Sequence, residues 1–261
     1  MQRLDISGTE YAFEMAPTGD LEPGWTTVSF RNDGAEAHQV MFAAPKEGVD
    51  LAELAAAAGQ DSSGAAAIEY VDMIGGVSYI GPGQTIDAMV DLPAGTVMAM
   101  CYVPDPDGVA HALRGMSSVL TVGGGDGGTP PAQQDPDPVA GTIELAEDGY
   151  RLPDAMPAGW YRVRNTDQGD GGEGLHELSI LRLGRSASAD EVDALVDDLA
   201  VNATPAVPVE ALGGLGAISP GLEGYVHLDL PPGDYVAVDF MPDPGDSRPH
   251  LLDGYYAAFA P

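Results

Sequence analysis

The 261-residue chain contains one sequence pattern twice. Between His38 and Cys101, each position of the pattern recurs 138 residues later. His38 thus corresponds to His176, and Cys101 corresponds to Asp239. A constant displacement over so long a stretch predicts two domains with the same fold. In the first copy the shared positions are Gly24-Trp25, Arg31-Asn32, His38, Gly75-Gly76, Pro82-Gly83 and Leu92-Pro93-Ala94-Gly95. In the second they are Gly159-Trp160, Arg164-Asn165, His176, Gly213-Gly214, Pro220-Gly221 and Leu230-Pro231-Pro232-Gly233.

The segment between the two copies is rich in glycine and proline and has no apolar periodicity. Such a composition is typical of an exposed linker. The pattern therefore predicts a first domain over residues 1–122, a linker over 123–138 and a second domain over 139–261.

Most of the periodicity within each copy is that of β-strands. Ile86, Ala88, Val90 and Leu92 alternate with Thr85, Asp87, Met89 and Asp91 before a Pro-Ala-Gly turn. Alternation with period two predicts a strand with one buried face. The 35 glycines and 22 prolines suit a fold with many turns between short strands. Together with the repeat, they lead us to predict an all-β fold of two tandem Greek-key β-sandwiches.

One short helix interrupts the β pattern in each copy. Asp50 and Ser188 each stand three residues before a glutamate, Glu53 and Glu191, and apolar residues follow at helical spacing. This spacing predicts a capping box at the start of each helix. We expect both helices to be structural, in a long crossover between strands. The predicted apolar stripes are Leu51, Leu54, Ala55 and Ala58 in the first helix and Val192, Leu195, Val196 and Leu199 in the second.

The end of the first copy carries three side chains that bind metals. Cys101 is the only cysteine, and His111 and Met116 follow it in one loop. Thiolate, imidazole and thioether together are soft ligands of the kind that suit copper. Each residue also has a structural interpretation, because a lone cysteine is commonly a small buried apolar side chain. A fourth ligand is predicted at His38, since the start of its strand can lie at the same end of a sandwich as the loop after Cys101.

These residues resemble the cupredoxin, or type 1 blue copper, family. The segment Phe30-Arg31-Asn32 to His38 is similar to the N-terminal ligand strand of plastocyanins. The run from Pro82-Gly83 through Cys101 and His111 to Gly115-Met116 is similar to their C-terminal ligand loop. The interval between cysteine and histidine is longer than in plastocyanin and is similar to that of copper nitrite reductases. Val97 stands where the family usually has tyrosine.

The resemblance covers most of residues 1–122 and, more weakly, 139–261. It implies two cupredoxin-like domains and one copper ion in the first, held by His38, Cys101, His111 and Met116. It also implies one-electron transfer to a redox partner protein and an extracytoplasmic location. The sequence begins without the apolar segment that a signal peptide would need.

The second copy lacks the sulfur ligands. His176, Asp239, His250 and Tyr255 stand at the corresponding positions. Two histidines and an aspartate suit a harder Zn²⁺ or Cu²⁺ site. We predict instead a degenerate site whose histidines are hydrogen-bonded or solvated, and the metal site is the alternative. A fifth histidine, His227, lies on the outward face of its predicted strand, so we expect it at the surface.

Charge restricts the partners of this chain. The formal net charge is −31, with Lys46 as the single lysine. Nucleic acid and anionic membranes are therefore not expected partners, because both bind to basic surfaces. The charge can steer a basic redox partner, or it can reflect solubility or adaptation to high salt. No apolar run is long enough to span a bilayer.

We predict no catalytic residues and no enzymatic activity. Copper oxidases and two-domain nitrite reductases use His-x-His pairs or a histidine next to the cysteine, and the sequence has neither. The leading hypothesis is an electron-transfer protein with a type 1 copper site. The alternatives are a metal-free interaction module with a buried Cys101, and a copper carrier without redox function.

Overall fold

Each half of the chain is a sandwich of two four-stranded layers. The computed structural model describes residues 2–17, 19–60, 65–123, 136, 138–169, 174–243 and 248–261. The strands of the first half are β1 (Gln2–Thr9), β2 (Ala12–Pro17), β3 (Gly24–Asn32), β4 (His38–Pro45), β5 (Val71–Ile80), β6 (Thr85–Leu92), β7 (Gly95–Met100) and β8 (Ser117–Val122). Those of the second half are β9 (Val139–Ala146), β10 (Gly149–Arg151), β11 (Gly159–Asn165), β12 (Ser179–Leu183), β13 (Val209–Ala211), β14 (Glu223–Leu228), β15 (Tyr235–Val238) and β16 (Tyr256–Phe259).

The two halves have the same strand order. In the first half, β2-β1-β3-β6 faces β5-β4-β7-β8, and in the second half β10-β9-β11-β14 faces β13-β12-β15-β16. β1 pairs with β3 in parallel, as β9 does with β11. The predicted fold class of two tandem Greek-key sandwiches, each with a helix in a crossover, is confirmed.

The two predicted helices are present, and they differ at their caps. α1 (Leu51–Ala58) begins at Asp50, whose side chain accepts the Ala52 N–H, so the predicted reciprocal capping box is wrong for this helix. α2 (Ala189–Ala200) has the complete box between Ser188 and Glu191.

The predicted apolar stripe is also wrong in part for α1. Its buried residues are Leu54 and Ala57, and Leu51 is 53% exposed. A helix of eight residues rests on the sheet through a narrow strip, so most of the predicted stripe stays in solvent. In α2, the predicted Val192, Leu195 and Val196 are buried.

The halves share one continuous sheet, which was not predicted. β14 pairs antiparallel with β6, with Val226 opposite Ala88 and Tyr225 opposite Met89, and this joins four strands from each half. Val226 is the counterpart of Ala88 in the repeat, so a pseudo-twofold axis passes through this pair. Burial at the join explains why Met89, expected on the polar face of β6, is 1% exposed.

A second set of contacts repeats this symmetry. Isolated bridges join Ile74 to Ile218, Val77 to Leu215 and Ile80 to Leu212. Nearby, a side-chain carbon at Gly76 would overlap the carbonyl oxygen of Val40, and one at Gly214 would overlap that of Leu178. The repeated Gly-Gly pairs are therefore needed where backbone meets backbone. One apolar core runs through both halves.

The boundary between the domains lies in a part of the chain that is only partly described. β8 ends at Val122 and β9 begins at Val139, whereas residues 124–135 and 137 of the predicted linker lie outside the described residues. The linker and the domain bounds stay predictions. Among the described residues, no helix has the length and apolar character needed to cross a membrane.

Candidate metal centre

The four predicted ligands of the first domain come from two strand ends and one turn. His38 is the first residue of β4, and Cys101 directly follows β7. The turn before His38 is fixed by Asn32, whose side-chain amide donates to the carbonyl oxygens of Ile80 (3.0 Å) and Glu36 (2.8 Å). This braced turn at the start of the strand thus sets where the imidazole enters the site.

The loop after Cys101 folds back onto the cysteine. His111 begins a 3₁₀ turn, His111–Arg114, that ends at Gly115 with φ of 117°. This left-handed conformation suits glycine and reverses the chain. The N–H of Met116 then donates to the carbonyl of His111 (2.9 Å), and the N–H of Cys101 donates to the carbonyl of Met116 (3.2 Å).

Three of the predicted ligand atoms meet in the core. Nδ1 of His38 lies 3.1 Å from Nδ1 of His111, and Sγ of Cys101 lies 3.5 Å from the same Nδ1 of His111. All three donor atoms lie within 4.8 Å of one another, and all three residues are fully buried. Met116 is also fully buried, in an apolar cluster with Cys101 and Val103.

The spacing of these atoms suits a small soft metal ion. Metal–nitrogen bonds of about 2.0 Å and metal–sulfur bonds of about 2.3 Å place ligand atoms in a trigonal plane roughly 3.5–3.7 Å apart. The observed separations of 3.1 and 3.5 Å lie close to that range. One thiolate, two imidazoles and a nearby thioether form the ligand set of blue copper electron-transfer sites.

Burial favours the uncharged forms of the two histidines and of the cysteine. Desolvation lowers the pKa of His38, as does the neighbouring His111, and desolvation also lowers the pKa of His111. Desolvation raises the pKa of the Cys101 thiol to about 12, although backbone N–H groups of Gln39 and Val103 act in the opposite direction. A cation bound here would therefore displace the thiol proton, since a coordinating thiol is deprotonated.

Two carboxylates behind the histidines were not predicted. Nε2 of His111 lies 3.0 Å from Oε2 of Glu36, and Nε2 of His38 lies 3.5 Å from Oε1 of Glu10. The hydrogen bond of Glu36 to Nε2 of His111 fixes the tautomer that leaves Nδ1 free to bind a metal, whereas Nε2 of His38 makes no hydrogen bond to a described residue. Hydrogen bonds from the backbone, chiefly the N–H of Glu36, lower the pKa of Glu10 to about 2.

A buried aspartate braces the ligand loop. Asp105 is 3% exposed and accepts the backbone N–H groups of Asp107 and Val109, each at 2.9 Å. Nε of Arg114, in the 3₁₀ turn, donates to the other oxygen of Asp105 at 2.7 Å. The loop that carries His111 is therefore held in shape by its own residues.

The second domain places its corresponding residues in the same arrangement, with a carboxylate at the position of the sulfur. Oδ2 of Asp239 lies 2.7 Å from Nδ1 of His176 and 3.1 Å from Nδ1 of His250. Nε2 of His176 lies 3.0 Å from Oδ2 of Asp167. The ring of Tyr255 stacks on His176 with a centroid separation of 4.0 Å.

These contacts support the interpretation of a hydrogen-bonded, degenerate site. Desolvation would lower the pKa of His250, but the hydrogen bond and charge of Asp239 raise it overall, which favours an imidazolium paired with a carboxylate. The donor atoms of His176, Asp239 and His250 also lie within 4.8 Å of one another, so the predicted hard-metal alternative stays open. His227 lies apart, with its ring 5.5 Å from that of Trp160.

Comparison with known proteins gives matches among solved structures. No protein-family model matches the chain, and no curated protein matches it. A reduced auracyanin from Roseiflexus castenholzii is 24% identical, with a TM-score of 0.31, over 48% of this chain and 98% of its own. Auracyanin A, a blue copper protein from Chloroflexus aurantiacus, is 21% identical, with a TM-score of 0.32, over 46% and 98%. A copper-containing nitrite reductase from Thermus scotoductus is 13% identical, with a TM-score of 0.25, over 99% and 62%.

Proposed function

We propose that this protein is an electron carrier that binds one copper ion in its first domain. Nδ1 of His38, Nδ1 of His111 and Sγ of Cys101 would hold the ion, and Met116 would supply a weak thioether ligand. The observation that carries this proposal is the convergence of these three donor atoms in a buried site at separations that suit a trigonal metal. When bound, copper supplies a one-electron couple that the side chains themselves lack.

The surroundings support transfer of electrons rather than chemistry on a substrate. The ligands lie on strand ends and on a braced loop, so they would move little when the charge of the metal changes. Among the described residues, the two groups with metal-binding geometry are the ones already described. We therefore propose a carrier rather than an oxidase, although enzymes occur among the structural neighbours.

We further propose that the partner is basic and approaches the site from its acidic rim. Side chains of Glu10 and Glu36, in contact with the two histidines, are 38% and 34% exposed, and that of Asp107 on the ligand loop is 83% exposed. Arg114 lies 3.4 Å from Asp107, so the rim is mainly rather than wholly acidic, and a mainly acidic rim attracts basic partners. By resemblance to blue copper proteins, we place this exchange outside the cytoplasm.

Titration with Cu(II) tests the proposal. The protein should bind one copper ion per chain and develop an intense visible absorption from sulfur-to-copper charge transfer. Cys101→Ser should abolish the absorption, whereas Asp239→Ala in the second domain should leave it unchanged. A protein that stays colourless and binds no copper would favour the metal-free interaction module. Copper binding without a reversible one-electron couple would favour a carrier of copper itself.

A further inference from the structure

A cavity of about 600 Å³ lies between the two domains. Its wall contains pairs of residues that the repeat relates to each other: Gln39 with Glu177, and Tyr102 with Phe240. Small-molecule sites in proteins are commonly about 300–1,000 Å³, are mostly apolar and favour domain interfaces. The cavity has the size and the position of such a site.

The two domains contribute unequal polar groups to this cavity. The first domain has the uncharged amide of Gln39, and the second has the carboxyl group of Glu177 at the same position of the repeat. Glu177 is 1% exposed. Its Oε1 accepts the N–H of Phe240 at 3.2 Å and the hydroxyl of Ser179 at 3.4 Å. The carboxyl group is therefore held in one orientation.

The other carboxyl oxygen lacks a partner. Oε2 of Glu177 is buried and has no hydrogen-bond partner among the described residues. A buried polar atom without a partner is unfavourable, so such atoms usually have a role. Glu177 belongs to the cavity wall, so a bound molecule whose hydrogen-bonding group reaches past the atoms that cover Oε2 would satisfy it.

The rest of the wall determines what that molecule is like. Aromatic rings of Tyr79, Tyr102 and Phe240 line it together with the methionines Met41, Met73 and Met241. Aromatic rings stack on planar ligands, and methionine adapts to irregular apolar shapes. Among the described residues, the lining contains no lysine, arginine or histidine and includes a second carboxylate, Glu210, so an anion would have no counter-charge there. A hydroxyl group both donates and accepts, so it pairs with a carboxyl group in either protonation state.

We propose that this cavity binds a small uncharged molecule with an apolar ring body and one hydroxyl group, which hydrogen-bonds to Glu177. Two residues of the cavity wall, Tyr79 and Val103, pack against Cys101, but the test of this site does not require copper.

Four naphthalene derivatives of nearly equal size test the proposal at neutral pH. They are 2-naphthylmethanol, 2-methylnaphthalene, 2-naphthylmethylamine as the cation and 2-naphthoate as the anion. The alcohol should bind most tightly, and the hydrocarbon roughly five- to tenfold more weakly because it leaves Oε2 unsatisfied. Equal binding of alcohol and hydrocarbon, or tighter binding of either charged compound, would overturn the proposal.

The location of the ligand is checked by NMR of labelled methionine methyl groups. The alcohol should shift the methyl signals of Met41, Met73 and Met241, and it should leave that of Met156 in the second-domain core unchanged. Shifts at Met156 alone, or no shift at the three cavity methionines, would show that the cavity is not the site.

Variants at Glu177 separate the polar contact from packing. Glu177→Gln keeps a donor and an acceptor, so binding of the alcohol should change by no more than about threefold, whereas Glu177→Met should weaken it roughly five- to tenfold. Cys101→Ser, which removes the proposed copper ligand, should leave binding unchanged. If a Glu177 variant does not fold, the ligand series on the unmodified protein decides the question.

Discussion

His111 presents Nδ1 to the thiol of Cys101 and, through Nε2, lies 3.0 Å from the carboxylate of Glu36. The ring is thus held from both sides. Metal-binding histidines commonly give their second nitrogen to a carboxylate, and loss of that partner typically weakens metal binding or activity 10- to 100-fold. Glu36 therefore has the position of a residue that orients a ligand without binding the metal.

Glu36→Ala should weaken copper binding about 10- to 100-fold. The carboxylate no longer fixes the imidazole, so part of the loss should appear as a changed visible spectrum. Competition titration with a copper chelator measures the affinity. Glu14→Ala, on exposed β2, removes an equal charge away from both histidines and should change the affinity little. Equal effects of the two substitutions would show that only general charge matters.

Asp239→Cys should create a second strongly absorbing copper site. The Asp239 oxygen that lies 2.7 and 3.1 Å from the two Nδ1 atoms stands where Sγ of Cys101 stands in the first domain. A thiolate there would complete the pair of His176 and His250. Metal analysis should give two copper ions per chain and about twice the visible absorbance. Asp239→Ser, which is equally small but lacks the thiolate, should add no visible absorption.

Gly76→Ala should destabilise the protein more than Gly83→Ala. Both glycines have positive φ, 133° and 79°, so both substitutions introduce backbone strain. Only at Gly76 would the new methyl group overlap a neighbouring carbonyl, whereas Gly83 has open space around it. We expect a further loss of about 1–3 kcal/mol at Gly76. Denaturant unfolding measures the free energy of unfolding of both variants. Equal losses of stability would mean that β4 and β5 move apart around the new methyl group without destabilising the fold.

Glu191→Gln should lower stability at neutral pH and lose this effect in acid. The hydrogen bond from Arg185, with those from Ser188, lowers the pKa of Glu191 from 4.5 to about 2 in the folded protein. A lowered carboxyl pKa stabilises the fold above the unfolded value, and this stabilisation disappears as pH falls from about 4.5 to about 2. Unfolding of variant and parent across that range measures the difference. If the difference in stability between variant and parent does not shrink in acid, the lowered pKa of Glu191 is not its cause.

Electron exchange with small complexes should depend on their charge. Copper-loaded protein should react faster with hexaammineruthenium(II), a cation, at low ionic strength than at high, because salt screens attraction to the acidic rim. The reaction of the oxidised protein with hexacyanoferrate(II), an anion, should speed up when salt is added. Stopped-flow absorbance follows both reactions. The same salt dependence for both complexes would place electron entry away from Glu10 and Glu36.

The sequence identified candidate ligands that the fold brings together, because each occupies a marked position, and their binding of copper stays a prediction. His38 follows an Asn-Asp-Gly turn, and His111 and Met116 flank a glycine that reverses the chain. The supporting acids carry no such mark, since Glu10 and Glu36 are two of 41 acidic residues and only the fold brings them to the histidines.

The join between the domains also depends on contacts that are distant in sequence. Met89 and Tyr225 could have revealed the join, because they are large apolar side chains on a strand face that was expected to be exposed. Such side chains indicate that another part of the protein packs on that face. In α1, helical periodicity was present, but contact with the sheet was too narrow to bury Leu51.

The pairing of Ala88 with its own counterpart Val226 has a consequence for how the two halves diverged. The two halves are joined by the pairing of β6 with β14, whereas the predicted ligands of the first half lie on β4 and on the loop after β7. A change from sulfur to carboxylate in one half therefore leaves the pairing of β6 with β14 intact, so the two halves can differ at their predicted ligand positions without separating.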